Sequence, residues 1–210
     1  MDRKGSAPQE YTRPLAMVLV IWALIQFDSA AGLIPNQIAA LSITPAVWGI
    51  GAGLLSVRAK RDNGAYSLYR HSPFSGRDGL LLFFVITGGL TVAVSNYLYA
   101  GLRPLFVREL LTGYPLYTIR NILYYPLEVL LMLYLLMYSQ AAGAIFTKKE
   151  SIPWGALALF LLWGLPHILW HGLPDGIVSA LRAFLYSIPF YASGKNIGTS
   201  YICMVILWFL

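Results

Sequence analysis

The stretch ILYYPLEVLLMLYLLMYSQAAGAIF, residues 122–146, carries a single charged side chain, Glu128. As an α-helix at 1.5 Å per residue it reaches about 37 Å, longer than the ~30 Å hydrocarbon core of a bilayer. It is apolar on every side, so it is either the centre of a large bundle or a membrane span. The composition around it decides between these. Of 210 residues, 58% are hydrophobic and 11% are charged, against roughly 25% charged in globular domains; mean hydropathy is +0.63. A soluble fold would have too few charges to coat it. The expectation is an all-α, polytopic transmembrane helical bundle, which excludes a disulfide-stapled secreted domain, a disordered chain and a nucleic-acid module.

Outward from that stretch, apolar runs bounded by turn and charge signals give about seven spans: 14–34, 39–57, 79–102, 122–146, 152–170, 177–193 and 197–210. The first run carries Asp28 and has no small-residue cleavage site after it, so it is expected to be a retained helix. Residues 104–120 alternate apolar and charged side chains around Gly113 and Pro115, as an interfacial segment does. The chain divides into an N-terminal three-span region, 1–121, with a cytoplasmic basic loop at 58–78 read as solvated surface, and a four-span core, 122–210. Gly49 and Gly53 form a small-xxx-small pair expected to admit a neighbouring helix. Cys203 is the only cysteine, so no internal disulfide and no cysteine-rich metal site can form.

The net charge of +6 is a topology signal. With the N-terminus in the cytoplasm, Arg3, Lys4, Arg13, Arg58, Lys60, Arg61, Arg70, Arg77, Lys148, Lys149 and Lys195 lie inside, eleven in all; Arg103, Arg108 and Arg120 lie outside, three in all; Arg182 falls within a span. That bias places the N-terminus in and the C-terminus out. The expected location is the bacterial plasma membrane as an integral protein, with lipid as the first partner and no nucleic acid.

An ionisable side chain at the centre of a span costs roughly 2.5–3.5 kcal/mol, so each needs a partner, a wet cavity or a job. Asp28, Glu128, His167 and Arg182, with Asn96 and the helix-end His171, all fall in the outer third of their spans. Scattered structural polar residues have no reason to share a depth. Several readings stand beside one another. Glu128 and Arg182 form a register-fixing ion pair, or Glu128 works with His167. Asp28 bonds a hydroxyl such as Ser29. His167 and His171, one turn apart, have chelate spacing and with Glu128 would make a zinc set, though no cofactor is the primary expectation. Tyr124, Tyr125 and Trp170 are expected as interface anchors.

The segment Trp163-Gly164-Leu165-Pro166-His167, then Asp175-Gly176 and Gly194-Lys195-Asn196-Ile197, resembles the CPBP family: the CAAX prenyl protease type 2 and bacteriocin-processing intramembrane proteases, also called Abi. The resemblance covers about 123–210. It aligns Glu128 with the family's glutamate motif and Trp163 with His167 to its aromatic-x-x-x-His motif. Leu127 and Val129 flank Glu128 where a paired glutamate would stand, and Met204 and Trp208 occupy the places of a later histidine and asparagine. What it implies is a glutamate-type intramembrane endopeptidase in which Glu128 is the general base and His167 positions the water, acting on a peptide or protein substrate. Met204 and Trp208 cannot do the chemistry of that histidine and asparagine, so His171, Arg182 and Asn96 are the supporting candidates for stabilising the oxyanion. The alternative is a non-catalytic membrane binding or bacteriocin-immunity protein of the same fold. A small transporter would need ionisable residues through the inner leaflet, which the sequence lacks.

Overall fold

The computed structural model describes the backbone of residues 7–31, 34, 37–71, 74–101, 107, 111 and 115–210. Among these the architecture is all-helical, with no strand beyond one isolated backbone bridge. The elements are α1 (Ala7–Ala31), α2 (Gln37–Tyr66), α3 (Gly76–Ala100) and α4 (Pro115–Thr147). A broken rod follows, made of α5 (Trp154–Leu159), a π-helical turn (Phe160–Gly164) and α6 (His167–His171), and then α7 (Leu173–Ala192) and α8 (Ile197–Phe209). Three segments are long and apolar enough to cross a membrane: Thr12–Ala31, Gly76–Leu98 and Asn121–Thr147. Trp154–Trp170, Gly176–Ala192 and Ile197–Phe209 are apolar but shorter.

The stretch that decides the fold class also forms its axis. Every residue from 131 to 141 in α4 is buried, so the helix that is apolar all round is enclosed all round. α1, α2, α5 and α8 pack against it, and α3 packs against α8. A single apolar cluster runs from Ile21 and Trp48 through Leu131 and Tyr138 to Trp163, Phe190 and Met204, so the regions 1–121 and 122–210 share one core. Facing away from it are Leu19, Ile50, Leu98, Leu161, Leu181 and Leu169, the last 81% exposed. Apolar surface on that scale is unsuited to water and suited to lipid.

The fifth rod breaks for a local reason. Leu165 N–H donates to Phe160 O at 2.9 Å, five residues back, and Pro166 has no N–H with which to continue the ladder. Gly164 sits where α7 passes closest: a Cβ there would stand 2.6 Å from Ala180 Cα. The break therefore lets two rods touch backbone to backbone.

Two expectations are corrected here. The 58–78 segment is surface only in part: Lys60, Arg61, Arg70, His71 and residues 74–77 are exposed, but other positions are buried. α2 continues to Tyr66, and Asp62 is only 5% exposed, because it accepts from Arg58 Nε at 2.9 Å and from Tyr138 Oη at 3.0 Å. Leu68 and Tyr69 are buried too, while Lys60 and Arg61 keep to the exposed side. The Gly49/Gly53 pair is not a close packing seam: a Cβ on Gly49 would meet only Leu127 Cδ1, at 3.9 Å, a Cβ on Gly53 meets nothing within 4 Å among the described residues, and the close glycine is Gly51, where an added Cβ would stand 2.9 Å from Leu24 Cδ1. Of the expected interfacial segment 104–120, residues 115–120 form the first turns of α4, ahead of the apolar stretch that starts at Asn121, and most of 104–114 lies outside the described residues.

Candidate functional site

At the end of the bundle where α1 and α8 finish and α4 starts lies a cavity of about 310 Å³. Glu128, His167 and Asp28 all line it, each from a different rod. The shared depth of these residues therefore corresponds to a shared space.

Glu128 is the second residue after Pro126, which cannot donate to the helical ladder. The Pro126 carbonyl accepts from Tyr201 Oη at 3.2 Å, fastening α8 to this part of α4. The carboxylate is 6% exposed, and its Oε1 accepts the indole N–H of Trp163 at 3.0 Å. A buried indole N–H needs an acceptor, and a buried carboxylate needs donors; here each supplies the other.

His167 sits one turn beyond Trp163, just past the π-helical turn, with its ring against that indole at 4.7 Å between centroids. Its Nδ1 lies 2.7 Å from the Trp163 carbonyl. A carbonyl only accepts, so Nδ1 carries the proton, and whenever the ring is neutral Nε2 is its acceptor nitrogen. One residue thus sets the carboxylate through its side chain and the imidazole tautomer through its backbone.

Asp28, near the end of α1, accepts from the hydroxyl of Tyr124 at 2.9 Å. Trp48 stacks on Tyr124 at 4.6 Å and donates to Leu24 O at 2.6 Å, while Gln26 reaches Leu162 O at 3.4 Å to tie α1 to the π-helical turn. A belt of rings encloses the space: Tyr124 against Tyr125 at 5.3 Å, Tyr125 against Trp208 at 5.7 Å, and Trp208 against Trp163 at 5.6 Å. Tyr124 and Tyr125 are walls of the cavity rather than interface anchors, because Tyr124 is buried and spends its hydroxyl on Asp28. Trp170 is mostly exposed and stands at the cavity's edge.

The remaining sequence candidates separate. Arg182 on α7 and Asn96 on α3 are exposed and line no part of this cavity, so Arg182 does not neutralise Glu128 there. Arg58 with Asp62 is the ion pair seen among the described residues, at the other end of the bundle. The His171 side chain lies outside the described residues, and with it the His167–His171–Glu128 zinc set; among the described residues no three His, Cys, Asp or Glu side chains gather as a metal site. Met204 is fully buried, while Trp208 faces the cavity.

Sequence reasoning passed over Asp28's partner, Trp48 and the double role of Trp163. The signal for two of them was present: Tyr124 precedes Glu128, and Trp163 precedes His167, by one helical turn. The arrangement can hold a small polar group or a water between a carboxylate and an imidazole nitrogen inside an aromatic shell. Compared with protein-family models, curated proteins and solved structures, the chain matches none.

Proposed function

We propose that this chain is a CPBP-like integral membrane hydrolase that crosses the bilayer about seven times, N-terminus in the cytoplasm, with its working cavity at the outer end. α2, the fifth rod, α7 and α8 join the three long apolar helices as crossings, the shorter ones leaning on α4 and on locally thinned lipid. The observation that carries the reading is that Glu128 and His167, on different rods, line one cavity and are tied to the same residue, Trp163. In the reaction, Glu128 takes a proton from water as the water attacks a peptide carbonyl, the acceptor nitrogen of His167 orients that water, and the carboxylic acid so formed returns the proton to the leaving amine as the C–N bond breaks. The aromatic shell keeps bulk water and lipid away from the reacting atoms.

A second reading is supported by Met204 and Trp208. Where an oxyanion donor would stand, one side chain is sealed in the core and the other, an indole, helps form the belt. A binding or immunity protein that holds a peptide in the cavity without cutting it fits that wall equally well.

The deciding experiment reconstitutes wild type, Glu128→Gln and His167→Ala into liposomes at equal density and follows cleavage of a library of membrane-embedded peptides by mass spectrometry. Cleavage by wild type alone supports hydrolysis. Peptide retention without cleavage, equal in wild type and Glu128→Gln, supports the binding reading and ends the catalytic one.

A further inference from the structure

We propose that the opposite, basic end of the bundle holds a phosphate-binding site built on Arg70 and Lys195. A cavity of about 480 Å³ opens there, walled by Asn63, Ser67, Tyr69, Arg70, Tyr191 and Lys195. All six bring polar side chains, two of them cations, and no carboxylate lines it. Among the described residues neither Arg70 nor Lys195 stands in an ion pair.

The backbone under these two cations is fixed. Arg70 N–H donates to Lys195 O at 2.8 Å, and Ile197 N–H donates to Arg70 O at 3.2 Å, a parallel bridge that brings the loop after α2 against the loop before α8. Asn63 Oδ1 accepts from Tyr69 N–H at 2.9 Å, closing the other side. Two non-glycine residues here take left-handed backbone angles: Ser67 at φ 48° and Lys195 at φ 66°. Both close a helix C-terminus, Ser67 N–H donating to Asn63 O at 2.9 Å and Lys195 N–H to Phe190 O at 2.8 Å, which fixes where their side chains start.

Two cations beside the C-terminus of α7 have an ordinary explanation, compensation of its carbonyls. The chain's own N–H groups already take those carbonyls: Ser193 bonds Pro189 O at 3.0 Å, Gly194 bonds Tyr191 O at 3.1 Å, and Lys195 bonds Phe190 O at 2.8 Å. The side chains of Arg70 and Lys195 are thus left for the cavity. A planar guanidinium with an ammonium beside it and the Ser67 and Tyr69 hydroxyls around them matches the oxygens of a phosphate group, while Tyr191 Oη donates to Gln140 Oε1 at 2.7 Å. At this end of a membrane bundle the source is an anionic phospholipid headgroup or free phosphate, and the chemistry of recognition is common to both.

Lys195 offers a variant that separates binding from folding. Glycine occupies φ near 66° without strain, so Lys195→Gly removes the cation while easing the backbone. The test uses the full chain in detergent, with phosphatidylglycerol read by native mass spectrometry and inorganic phosphate read by calorimetry. Wild type binds at least one; phosphatidylglycerol alone identifies a headgroup site, and phosphate as well identifies a site open to the free ion. Arg70→Gln and Lys195→Gly each weaken that binding about tenfold or more, the scale of one charge-assisted hydrogen bond. Lys195→Gly melts no lower than wild type. The double variant Lys148→Gln with Lys149→Gln, two exposed cations that line no wall of this cavity, leaves binding within about twofold if charge is read locally. Wild type binding neither probe, or the Lys148/Lys149 variant losing as much as Lys195→Gly, overturns the site.

Discussion

The indole Nε1 of Trp163 donates to Glu128 Oε1 at 3.0 Å across two different rods of the bundle, both side chains being nearly sealed from the exterior. This bond joins the start of α4 to the π-helical turn. Because the Trp163 carbonyl also lies at His167 Nδ1, moving this one residue would move the carboxylate and the imidazole together. Position and chemistry are therefore coupled in a way that separates the effects of neighbouring substitutions.

Trp163→Phe removes the donor while keeping an aromatic ring, leaving a buried carboxylate short of one hydrogen bond, a loss of about 1–3 kcal/mol. Thermal unfolding in detergent will show a clear drop. Glu128→Gln keeps an amide oxygen to accept the same indole N–H, so its melting temperature will stay close to wild type while any cleavage disappears. Equal destabilisation by the two would mean that the bond does not carry the energy assigned to it.

Asp28 and Tyr124 make the parallel pair from α1 to α4. Tyr124→Phe deletes the hydroxyl that Asp28 accepts from, and about 1–3 kcal/mol of stability is expected to go with it. Asp28→Asn retains an acceptor oxygen and is expected to cost less than that. A double-mutant cycle on this pair, read by chemical unfolding, should give a coupling energy above about 0.5 kcal/mol for residues in contact; additive effects would show that the bond does not form in the folded protein.

The all-helical fold class was legible because lipid would impose it. A run with one charge over 122–146 has only one way to satisfy its backbone in lipid, and an ionisable group inside such a run has few places to point. Asp28, Glu128 and His167, counted to the same level of their apolar runs, line one cavity, whereas Arg182 and Asn96, counted to that level too, do not. Depth follows from counting residues; which way a helix faces follows from its neighbours, and those are set by close approaches such as Gly164 on Ala180 that no local pattern announces. The misread 58–78 segment has the same origin. Its charges look solvated in sequence, yet Asp62 is satisfied by Tyr138, far along the chain on α4.

The charge bias makes a prediction about sidedness. A reporter that fluoresces only in the cytoplasm, inserted after Lys149, should be bright, and the same reporter fused after Leu210 should be dark, since the proposed topology puts the short loop at 148–151 on the side of eleven basic residues and returns the last helix to the other. Both fusions bright would remove a crossing between them. An inverted pattern would turn the whole molecule over and place the Glu128 cavity at the cytoplasmic face.

Gly164 tests whether the break in the fifth rod is set by its contact with α7. A Cβ added there would lie 2.6 Å from Ala180 Cα and 3.2 Å from Ser179 O, both backbone atoms that cannot swing away as a side chain tip can. Gly164→Ala must therefore push α7 outward or straighten the rod, and overpacking of this kind costs about 1–3 kcal/mol. Either movement carries Trp163 with it, so the variant is expected to lose the Glu128 bond and the cavity function as well as stability. Gly53→Ala, with nothing within 4 Å of the added methyl among the described residues, serves as the control and should melt with wild type or above it, since alanine is the better helix former. If Gly164→Ala melts like Gly53→Ala and keeps its activity, the rod and α7 do not meet as described, and the π-helical turn owes its position to something other than that contact.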